Sequence, residues 1–302
     1  MDGNESSRSV GHRRSPTWPA GASPVVGVIG DPIAHSLSPL LHNAAFDALG
    51  LDWVSVAFPV PPGQADRALV GMRALGVVGL SVTMPHKEQA FECVDETTDV
   101  ARRLRAVNCV TRRRSDGALV GDSTDGPGLL QALRRGAGFD PVGRACLVVG
   151  AGGAARAIVL ALAEAGAAEV VVVNRTAARA EVAAALAGDA GRVGSADDVG
   201  RADLVVQATP VGMAGVGPSA PGELPVDPER LRPGQVVVDI VVHPMRTALL
   251  QAAERRGAVA LSGLGMLVHQ AAIALEQWTG RRAPADAMWA AAESCLREPG
   301  RD

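Results

Sequence analysis

Short apolar runs alternate with longer stretches rich in alanine and leucine along most of the chain. The runs contain many β-branched residues, which predicts strands, whereas the alanine- and leucine-rich stretches are typical of helices. This alternation indicates parallel sheets with crossover helices, and strands that are apolar at nearly every position indicate sheets covered on both faces. The predicted strands are Val25–Ile29, Trp53–Phe58, Val78–Val82, Leu147–Val149, Val170–Val173, Leu204–Gln207 and Val236–Val241.

The character of the chain changes between residues 122 and 145. Polar residues follow the apolar runs before this point, and a stretch rich in alanine, glycine and valine comes after it. We therefore predict an α/β protein with two domains and a hinge at Gly126–Pro127–Gly128. From Gly263 onward the pattern is helical again, over Met266–Trp278 and Ala287–Leu296, but periodicity does not show which domain these helices join.

A glycine-rich turn follows the strand predicted at residues 147–149. The segment from Gly150 to Ala155 reads GAGGAA and fits the pattern G-x-G-x-x-A. Gly150 permits a tight turn, Gly152 lets the backbone approach a pyrophosphate, and the small Ala155 lets helix and strand pack closely. The N–H groups at the start of the next helix attract the anion. The predicted dinucleotide site therefore contains Gly150, Ala151, Gly152, Gly153 and Ala154.

The next predicted strand ends in Asn174, Arg175 and Thr176, and Arg179 follows one turn later. Enzymes that use NAD usually carry a carboxylate here, which binds the 2′-hydroxyl of the adenosine ribose. This chain has two arginines and a hydroxyl instead, and guanidinium groups suit a 2′-phosphate that a carboxylate would repel. We therefore predict NADP rather than NAD as the cofactor.

Two serines precede the first predicted helix. Ser36 and Ser38 stand just ahead of Pro39, which predicts a helix with Ser38 as its N-cap and proline at its first position. Two hydroxyls that converge on one helix N-terminus would bind a small carboxylate.

Two further groups of polar residues follow later in the first half. Thr83 ends a predicted strand, and Lys87 lies on the turn after it. Asn108 and Asp125 form the other group, and Asp125 lies at the predicted hinge, where it would point into the cleft between the domains. A lysine taken alone is usually a solvated surface residue, so spacing by itself gives Lys87 no role.

Composition excludes several classes of function. The 302 residues carry a net charge of −3 without a long basic run, which argues against nucleic-acid binding. No stretch of about 18 apolar residues predicts a membrane span. The four cysteines and six histidines lack zinc spacing, so we predict no metal. Residues 1–23 are rich in glycine, serine, proline and arginine, which predicts a disordered tail rather than a signal peptide, and a cytoplasmic protein.

Seven short motifs, taken in order, resemble those of the shikimate dehydrogenase family. They read GDPIAHSLSP, SVTMPHKE, AVN, GDSTDG, GAGGAAR, NRT and SGLGMLVHQA, within residues 24–290. The resemblance implies a three-layer α/β substrate domain over residues 24–125 plus 263–296, and a Rossmann-type NADP-binding domain over residues 126–262. It also implies that the last helices return to the substrate domain.

The resemblance implies a role for each matching residue. Lys87 would be the acid/base lysine, and Asp125 would hold it in position and accept a hydrogen bond from a ring hydroxyl. Ser36 and Ser38 would bind the substrate carboxylate. Further substrate ligands would be Thr83, Asn108, Gln270 and the residue at the position of Val242. The cofactor would contact Gly150–Ala154, Asn174, Arg175, Thr176, Arg179, Ile240 and Gly263.

The reaction that the resemblance implies is the reversible reduction of 3-dehydroshikimate to shikimate, with hydride transfer from NADPH to the C3 ketone. Lys87 would stabilise the developing oxyanion and donate the proton. Val242 departs from the family pattern, because a tyrosine usually contacts the substrate there. Its absence removes a hydroxyl contact worth about 0.5–1.5 kcal/mol. Ser81 and Ser123 also replace frequent asparagines, but both can still form hydrogen bonds.

Other functions on the same architecture stay open. A quinate/shikimate dehydrogenase with relaxed specificity is one, although the paired serines and the two arginines argue against it. A non-catalytic NADP-binding regulator is another, and it would be favoured by loss of Lys87 or Asp125, both of which are present. A methylene-tetrahydrofolate dehydrogenase is disfavoured by the Ser36–Ser38 pair. The implied partners are the small-molecule substrate, shikimate or 3-dehydroshikimate, and a second copy of the chain in a homodimer.

Overall fold

The computed structural model describes residues 21–213 and 224–297, so the predicted tail at 1–23 lies outside the described residues apart from 21–23. The strands are β1 (Val25–Gly30), β2 (Val54–Pro59), β3 (Gly79–Val82), β4 (Glu96–Thr97), β5 (Cys109–Arg112), β6 (Leu119–Asp122), β7 (Ala145–Val149), β8 (Glu169–Val173), β9 (Gly191–Val193), β10 (Leu204–Gln207), β11 (Val236–Asp239) and β12 (Val259–Ser262). The helices are α1 (Ser38–Leu49), α2 (Ala65–Ala74), α3 (Lys87–Cys93), α4 (Asp99–Leu104), α5 (Asp125–Ala137), α6 (Gly153–Glu164), α7 (Ala177–Ala185), α8 (Ala248–Arg255), α9 (Leu264–Thr279) and α10 (Ala285–Arg297). None of these helices is long and apolar enough to cross a membrane.

The first sheet contains six strands in the order β2-β1-β3-β5-β6-β4. Strand β5 is antiparallel to both of its neighbours, whereas the other pairs are parallel. The expectation of parallel strands is therefore wrong at β5. The hairpin between β5 and β6 turns within residues 113–118, and Gly117 there has φ +77°. So short a connection allows only antiparallel pairing, because a parallel crossover needs about a dozen residues or more.

The second sheet contains six parallel strands in the order β12-β11-β10-β7-β8-β9. From the β9 edge, the strands follow chain order 3-2-1-4-5-6, which is the order of the doubly wound dinucleotide-binding fold. The chain reverses direction across the sheet between β7 and β10. Ligands of such folds bind at this reversal, beyond the carboxyl ends of the strands.

Helices cover both faces of each sheet, as the apolar strands predict. In the first sheet, α1, α9 and α10 pack on one face around Phe46 and Trp278, and α2 and α3 pack on the other around Leu69 and Ala90. This is a three-layer arrangement. In the second sheet, α6 and α7 cover one face, and α8 covers the other.

Helices α5 and α9 connect the two sheets and lie against each other. α5 leads from β6 to β7, and α9 leads from β12 back to the core of the first sheet. Both also contribute to the core of the second sheet, through Leu129, Leu133 and Met266. A Cβ atom on Gly128 would lie 2.8 Å from the backbone nitrogen of Gln270, so the two helix backbones are in direct contact.

The segment Gly126–Pro127–Gly128, predicted as a hinge, forms the first turn of α5. A Cβ atom on Gly126 would lie 2.6 Å from the Cβ of Ala161 in α6. These glycines therefore permit close helix packing, and the boundary predicted between residues 125 and 126 falls inside α5.

All seven predicted strands are present, with ends shifted by at most two residues. Five further strands were not predicted: β4, β5, β6, β9 and β12. They are short or carry polar residues, and β4, β9 and β12 lie at sheet edges. An apolar-run criterion misses such strands because an edge strand is only partly buried.

We expect the stability of the protein to fall in mild acid because of His42. This buried ring contacts Trp278 edge-on and Ser55 Oγ at 3.1 Å, and burial lowers its pKa from the usual 6.5 to about 3. Below pH 6.5 the unfolded chain therefore binds a proton that the folded chain does not, and stability is lost as the pH falls. By pH 5 the loss is about 2 kcal/mol.

The substitution His42→Leu removes this titration. Urea unfolding gives the free energy of unfolding at pH 7 and at pH 5. The decrease between the two pH values should be smaller in the variant than in the wild type by about 2 kcal/mol. An equal pH dependence in both proteins would contradict the prediction.

The contact between α5 and α9 predicts that Gly128→Ala destabilises the fold by about 1–3 kcal/mol, because the new methyl group meets backbone atoms that cannot rotate away. Gly71, in α2, is the matched control, since nothing lies within 4 Å of a Cβ atom there. Gly71→Ala should stabilise the protein by about 0.5–1 kcal/mol through higher helix propensity. Urea denaturation of both variants tests the contrast, and equal effects would refute it.

Candidate active site

Polar residues next to several strands of the first sheet meet where the parallel strands have their carboxyl ends; we call this the carboxyl edge of the sheet. Thr83 follows the carboxyl end of β3, and Asp125 follows that of β6. Because β5 runs in the opposite direction, Asn108, which precedes it, lies at the same edge. The reversed direction of β5 thus places Asn108 beside Thr83 and Asp125, which follow the carboxyl ends of β3 and β6.

A charge pair is the centre of this cluster. The Lys87 Nζ atom lies 2.5 Å from Asp125 Oδ2, and their side chains are only 18% and 8% exposed. Asn108 Nδ2 donates to the second carboxylate oxygen, Asp125 Oδ1, at 2.8 Å. A partly buried charge pair needs such additional hydrogen bonds to offset the loss of hydration.

The backbone around Lys87 is fixed on both sides. Lys87 is the first residue of α3, and the buried His86 before it donates from Nε2 to the carbonyl oxygen of Val60 at 2.7 Å. The carbonyl oxygen of Lys87 accepts the N–H of Val107 at 2.9 Å. The lysine side chain therefore leaves a rigid turn, which limits the positions that its ammonium group can reach.

Thr124 belongs to the cluster, although the sequence reasoning did not select it. It is the N-cap residue of α5, but its hydroxyl caps no backbone N–H. The hydroxyl instead accepts from Asn108 Nδ2 at 3.0 Å and lies 3.5 Å from Gln270 Oε1. Its own N–H donates to Asn108 Oδ1 at 2.7 Å. Its position directly before Asp125 was the available sequence signal.

The two serines lie at the start of α1, but Ser38 does not cap the helix as predicted. The N-cap residue is Leu37, and Ser38 is the first helical residue, so the prediction of Ser38 as N-cap is wrong. Ser36 Oγ instead accepts the backbone N–H of Ser38 at 3.3 Å. Ser38 is buried, Ser36 is half-buried, and no hydrogen bond between described residues joins either to Lys87 or Asp125.

The glycine-rich turn lies beside the charge pair. Gly150 has φ +118°, and a Cβ atom there would lie 2.8 Å from the carbonyl oxygen of Ala208, so only glycine fits. A Cβ atom on Gly152 would meet nothing within 4 Å, which leaves open space in front of the α6 N-terminus. A Cβ atom on Gly153 would lie 3.3 Å from Lys87 Cδ. The lysine of the first sheet thus contacts the turn of the second.

The residues predicted to select the cofactor follow β8, at the neighbouring strand end. Asn174 Nδ2 donates to the carbonyl oxygen of Thr176 at 3.0 Å, which shapes the turn. Arg175 and Arg179 are exposed, and neither forms an ion pair within residues 21–213 and 224–297. Two guanidinium groups without a described carboxylate partner give this turn a positive potential suited to a phosphate.

A buried carboxylate shapes the loop after β11. Asp239 accepts the N–H of Val241 at 3.0 Å and the hydroxyl of Thr247 at 2.7 Å, and burial raises the pKa of its carboxyl. Ile240 lies in this loop against Gly263, where a Cβ atom would lie 2.3 Å from the Ile240 carbonyl oxygen. The two predicted cofactor contacts are therefore neighbours, and Val242 follows, half-buried.

Among the described residues, no cluster of three histidine, cysteine, aspartate or glutamate side chains could hold a metal ion.

Comparison with known proteins gives the family. Three family models match: the shikimate dehydrogenase substrate binding domain at residues 28–110, shikimate/quinate 5-dehydrogenase at 138–242 and the shikimate 5′-dehydrogenase C-terminal domain at 263–293. Shikimate dehydrogenase (NADP⁺) of Methanopyrus kandleri is 46% identical over 283 residues, which cover 90% of this chain and 96% of that protein. The chain belongs to the shikimate dehydrogenase family.

Solved structures of the family share the fold along most of the chain. Shikimate 5-dehydrogenase of Thermus thermophilus, in complex with NADP(H) and shikimate, has a TM-score of 0.82 at 37% identity and covers 90% of this chain and 100% of its own. Quinate dehydrogenase of Corynebacterium glutamicum, in complex with NAD, has a TM-score of 0.81 at 29% identity and covers 90% and 99%. The shared fold therefore serves more than one substrate and cofactor.

One compositional signal singles out Lys87, although the sequence reasoning did not use it. The chain has 29 lysine and arginine residues together, and Lys87 is the only lysine among them. Wherever else the chain carries a long cationic side chain, it is arginine. Arginine holds its proton too tightly to donate it at neutral pH, whereas lysine can exchange one. The one position where lysine replaces arginine is thus a member of the charge pair.

Proposed function

We propose that this protein is an NADP-dependent shikimate dehydrogenase, which reversibly reduces 3-dehydroshikimate to shikimate at the C3 ketone. The observation that carries the proposal is the Lys87–Asp125 pair, held at 2.5 Å where the lysine contacts Gly153 of the dinucleotide turn. An ammonium group beside a dinucleotide site suits a carbonyl reduction, because the alkoxide that develops needs a proton. The family membership supports the same substrate.

The residues at the turn fit an NADP molecule. Gly150 and Gly152 leave the backbone exposed for a pyrophosphate at the N-terminus of α6, and Arg175 and Arg179 offer guanidinium groups to a 2′-phosphate. Ile240 and Gly263 would border the nicotinamide. When bound, the reduced nicotinamide supplies the hydride, and the protein supplies position and proton.

The chain's own groups complete the reduction. Lys87 donates a proton from Nζ to the ketone oxygen as the carbonyl carbon gains the hydride, so the ketone becomes an alcohol. Asp125 holds the ammonium group in place through Oδ2, while Asn108 fixes the carboxylate through Oδ1. Lys87 then regains a proton from solvent. In the oxidation direction the neutral amine accepts the hydroxyl proton.

The remaining polar residues would bind the ring. Ser36 and Ser38 would bind the carboxylate, and Thr83, Asn108 and Gln270 the hydroxyl groups. The hydrogen bonds of Thr124 to Asn108 and its contact with Gln270 support this assignment, because they orient two of these side chains together. Val242 supplies no hydroxyl, so the substrate lacks the contact that a tyrosine at this position makes in other family members.

The competing readings differ from this proposal in testable ways. A quinate/shikimate dehydrogenase would oxidise quinate at a comparable rate, and the Corynebacterium glutamicum neighbour shows that the fold serves that substrate class. A non-catalytic NADP-binding regulator would need no proton donor, yet Lys87 and Asp125 are both in place. Homodimer formation and the cytoplasmic location stay predictions.

Substitution of the only lysine tests the proposal. Lys87→Arg keeps the positive charge but removes the transferable proton, and Lys87→Ala removes both. Shikimate oxidation with NADP⁺, followed by nicotinamide absorbance, should lose about 10²-fold or more in kcat in either variant. The KM for shikimate should change less in Lys87→Arg than in Lys87→Ala, because the arginine keeps the ion pair.

The same assay with quinate in place of shikimate separates the two enzyme readings. Full activity of Lys87→Arg, or a wild type that oxidises neither compound, would overturn the proposal. The exposed residue Arg201 gives a matched charge control, since Arg201→Lys should leave all constants unchanged.

The two arginines after β8 predict the cofactor preference. The double substitution Arg175→Ser and Arg179→Ser should raise the KM for NADP⁺ by about tenfold or more, because charge-assisted hydrogen bonds to the 2′-phosphate are lost. The KM for NAD⁺ should stay within about twofold, since NAD⁺ lacks this phosphate. Parallel titrations with both nucleotides give the ratio, and an equal loss for both would contradict the prediction.

A further inference from the structure

A cavity lies between α5, α9, α10 and the edge strand β12. It has a volume of about 490 Å³, and its lining residues include none of the substrate or cofactor positions proposed above. A volume of this size is within the range of small-molecule sites, which is roughly 300–1,000 Å³. We call this space the α5–α10 cavity.

The walls of the α5–α10 cavity are mostly apolar. Leu129, Leu261 and Val268 contribute branched side chains, and small residues on α5 and α9 leave the space between them. Trp289 of α10 lies at the cavity, and its ring is partly exposed. The indole N–H is already bound to Glu293 at 2.8 Å, so the ring offers an apolar surface on which a planar ligand can pack.

One polar side chain in the wall lacks a partner. His269 is only 3% exposed and lines the cavity, yet its ring forms no hydrogen bond to any residue of the described ranges. Burial lowers its pKa, and the positive charge of Arg135 lowers it further. The neutral imidazole therefore carries one N–H donor without an acceptor from the protein. The ring nitrogens of His269 are not among the fully enclosed side-chain atoms that lack a partner, so they are open to the cavity, where a ligand acceptor can reach the N–H group.

Charged side chains of both signs line the cavity. Arg135 and Asp286 lie there together with His269 and form an ion pair at 3.2 Å, so an anionic ligand would bind by replacing Asp286 as the partner of Arg135. These two side chains are 60% and 92% exposed, so their ion pair is weak and exchanges readily with another carboxylate. A carboxylate bound here would pair with the guanidinium group and accept the imidazole N–H.

We propose that the α5–α10 cavity binds a small aromatic carboxylate, with its carboxylate on Arg135 and His269 and its ring between the apolar walls and Trp289. The site is separate from the substrate site, although both use α9. His269 on this helix lines the cavity, whereas the next residue, Gln270, contacts Thr124 in the substrate cluster.

Titration calorimetry with 2-naphthoate as the probe tests the site, with the full chain and without nicotinamide nucleotide. Arg135→Gln and His269→Phe should each weaken binding by about tenfold, since each removes a hydrogen bond to a charged group. Asp286→Asn should tighten binding, because it removes the carboxylate that competes for Arg135. Arg134→Gln is the matched control: it makes the same charge change one residue earlier on α5, where the side chain lines a different groove.

Opposite effects of Arg135→Gln and Asp286→Asn, with no effect of Arg134→Gln, would support the proposal. No binding at millimolar probe would overturn it, and so would equal affinity in all variants. A probe that saturating shikimate displaces lies in the substrate site instead, which would also overturn the proposal. Thermal unfolding of each variant checks that a loss of binding is not a loss of fold.

Discussion

The structure depends on a charge pair that two distant parts of the chain hold away from water. Lys87 and Asp125 are 38 residues apart, and both are largely buried. Removing two charges from water is costly, and attraction alone repays that cost only when the remaining lone pairs are also bound. Asn108 occupies the second carboxylate oxygen, and Thr124 in turn binds Asn108. The pair therefore exists only if β3, β5 and β6 present their ends at one edge.

The fold brings this edge to the dinucleotide turn through α5 and α9. The first turn of α5 begins with Asp125, and the same helix continues into the core of the second sheet. Helix α9 contacts it at Gly128, with no side chain between the backbones. The position of Gly153 against Lys87 is thus set by helix packing rather than by the loops of the site. The glycines of α5 permit this close contact.

The amino-acid sequence predicts the regular parts of the molecule well. The run Leu204–Gln207 forms a strand with those same ends, since its first three residues are apolar and the whole run is buried in the middle of a parallel sheet. Pattern alone fails where a residue's partner is remote. Cys109–Arg112 forms β5 although it contains Arg112, because the neighbouring strands fix its register. Likewise, the turn that holds Gly126 looks flexible until α6 is placed against it.

In the candidate site, too, the sequence predicts which residues take part but not the contacts that depend on remote parts of the chain. Resemblance to a family gathers Lys87, Asp125 and Asn108, but it does not show that β5 must be reversed to bring Asn108 near the pair. Ser38 followed by proline is typical of an N-cap. In the structure the N-cap is Leu37, one position earlier, and the Ser38 N–H donates to Ser36 Oγ. Thr124 escapes sequence reasoning because a threonine before a helix normally caps it, and only the structure shows its hydroxyl directed to Asn108.

A primary amine next to a ketone invites a side reaction, because it can condense with the carbonyl to form an imine and trap the enzyme. In the proposed mechanism, the Lys87–Asp125 pair would guard against this. A paired ammonium group has no lone pair with which to attack carbon. In the proposed chemistry the amine becomes neutral in the step that converts the carbonyl to an alcohol, and it is protonated again in the step that regenerates the ketone. In that sequence of steps the neutral amine and the ketone are not present together, so the only lysine of the chain would work beside a ketone without being consumed by it.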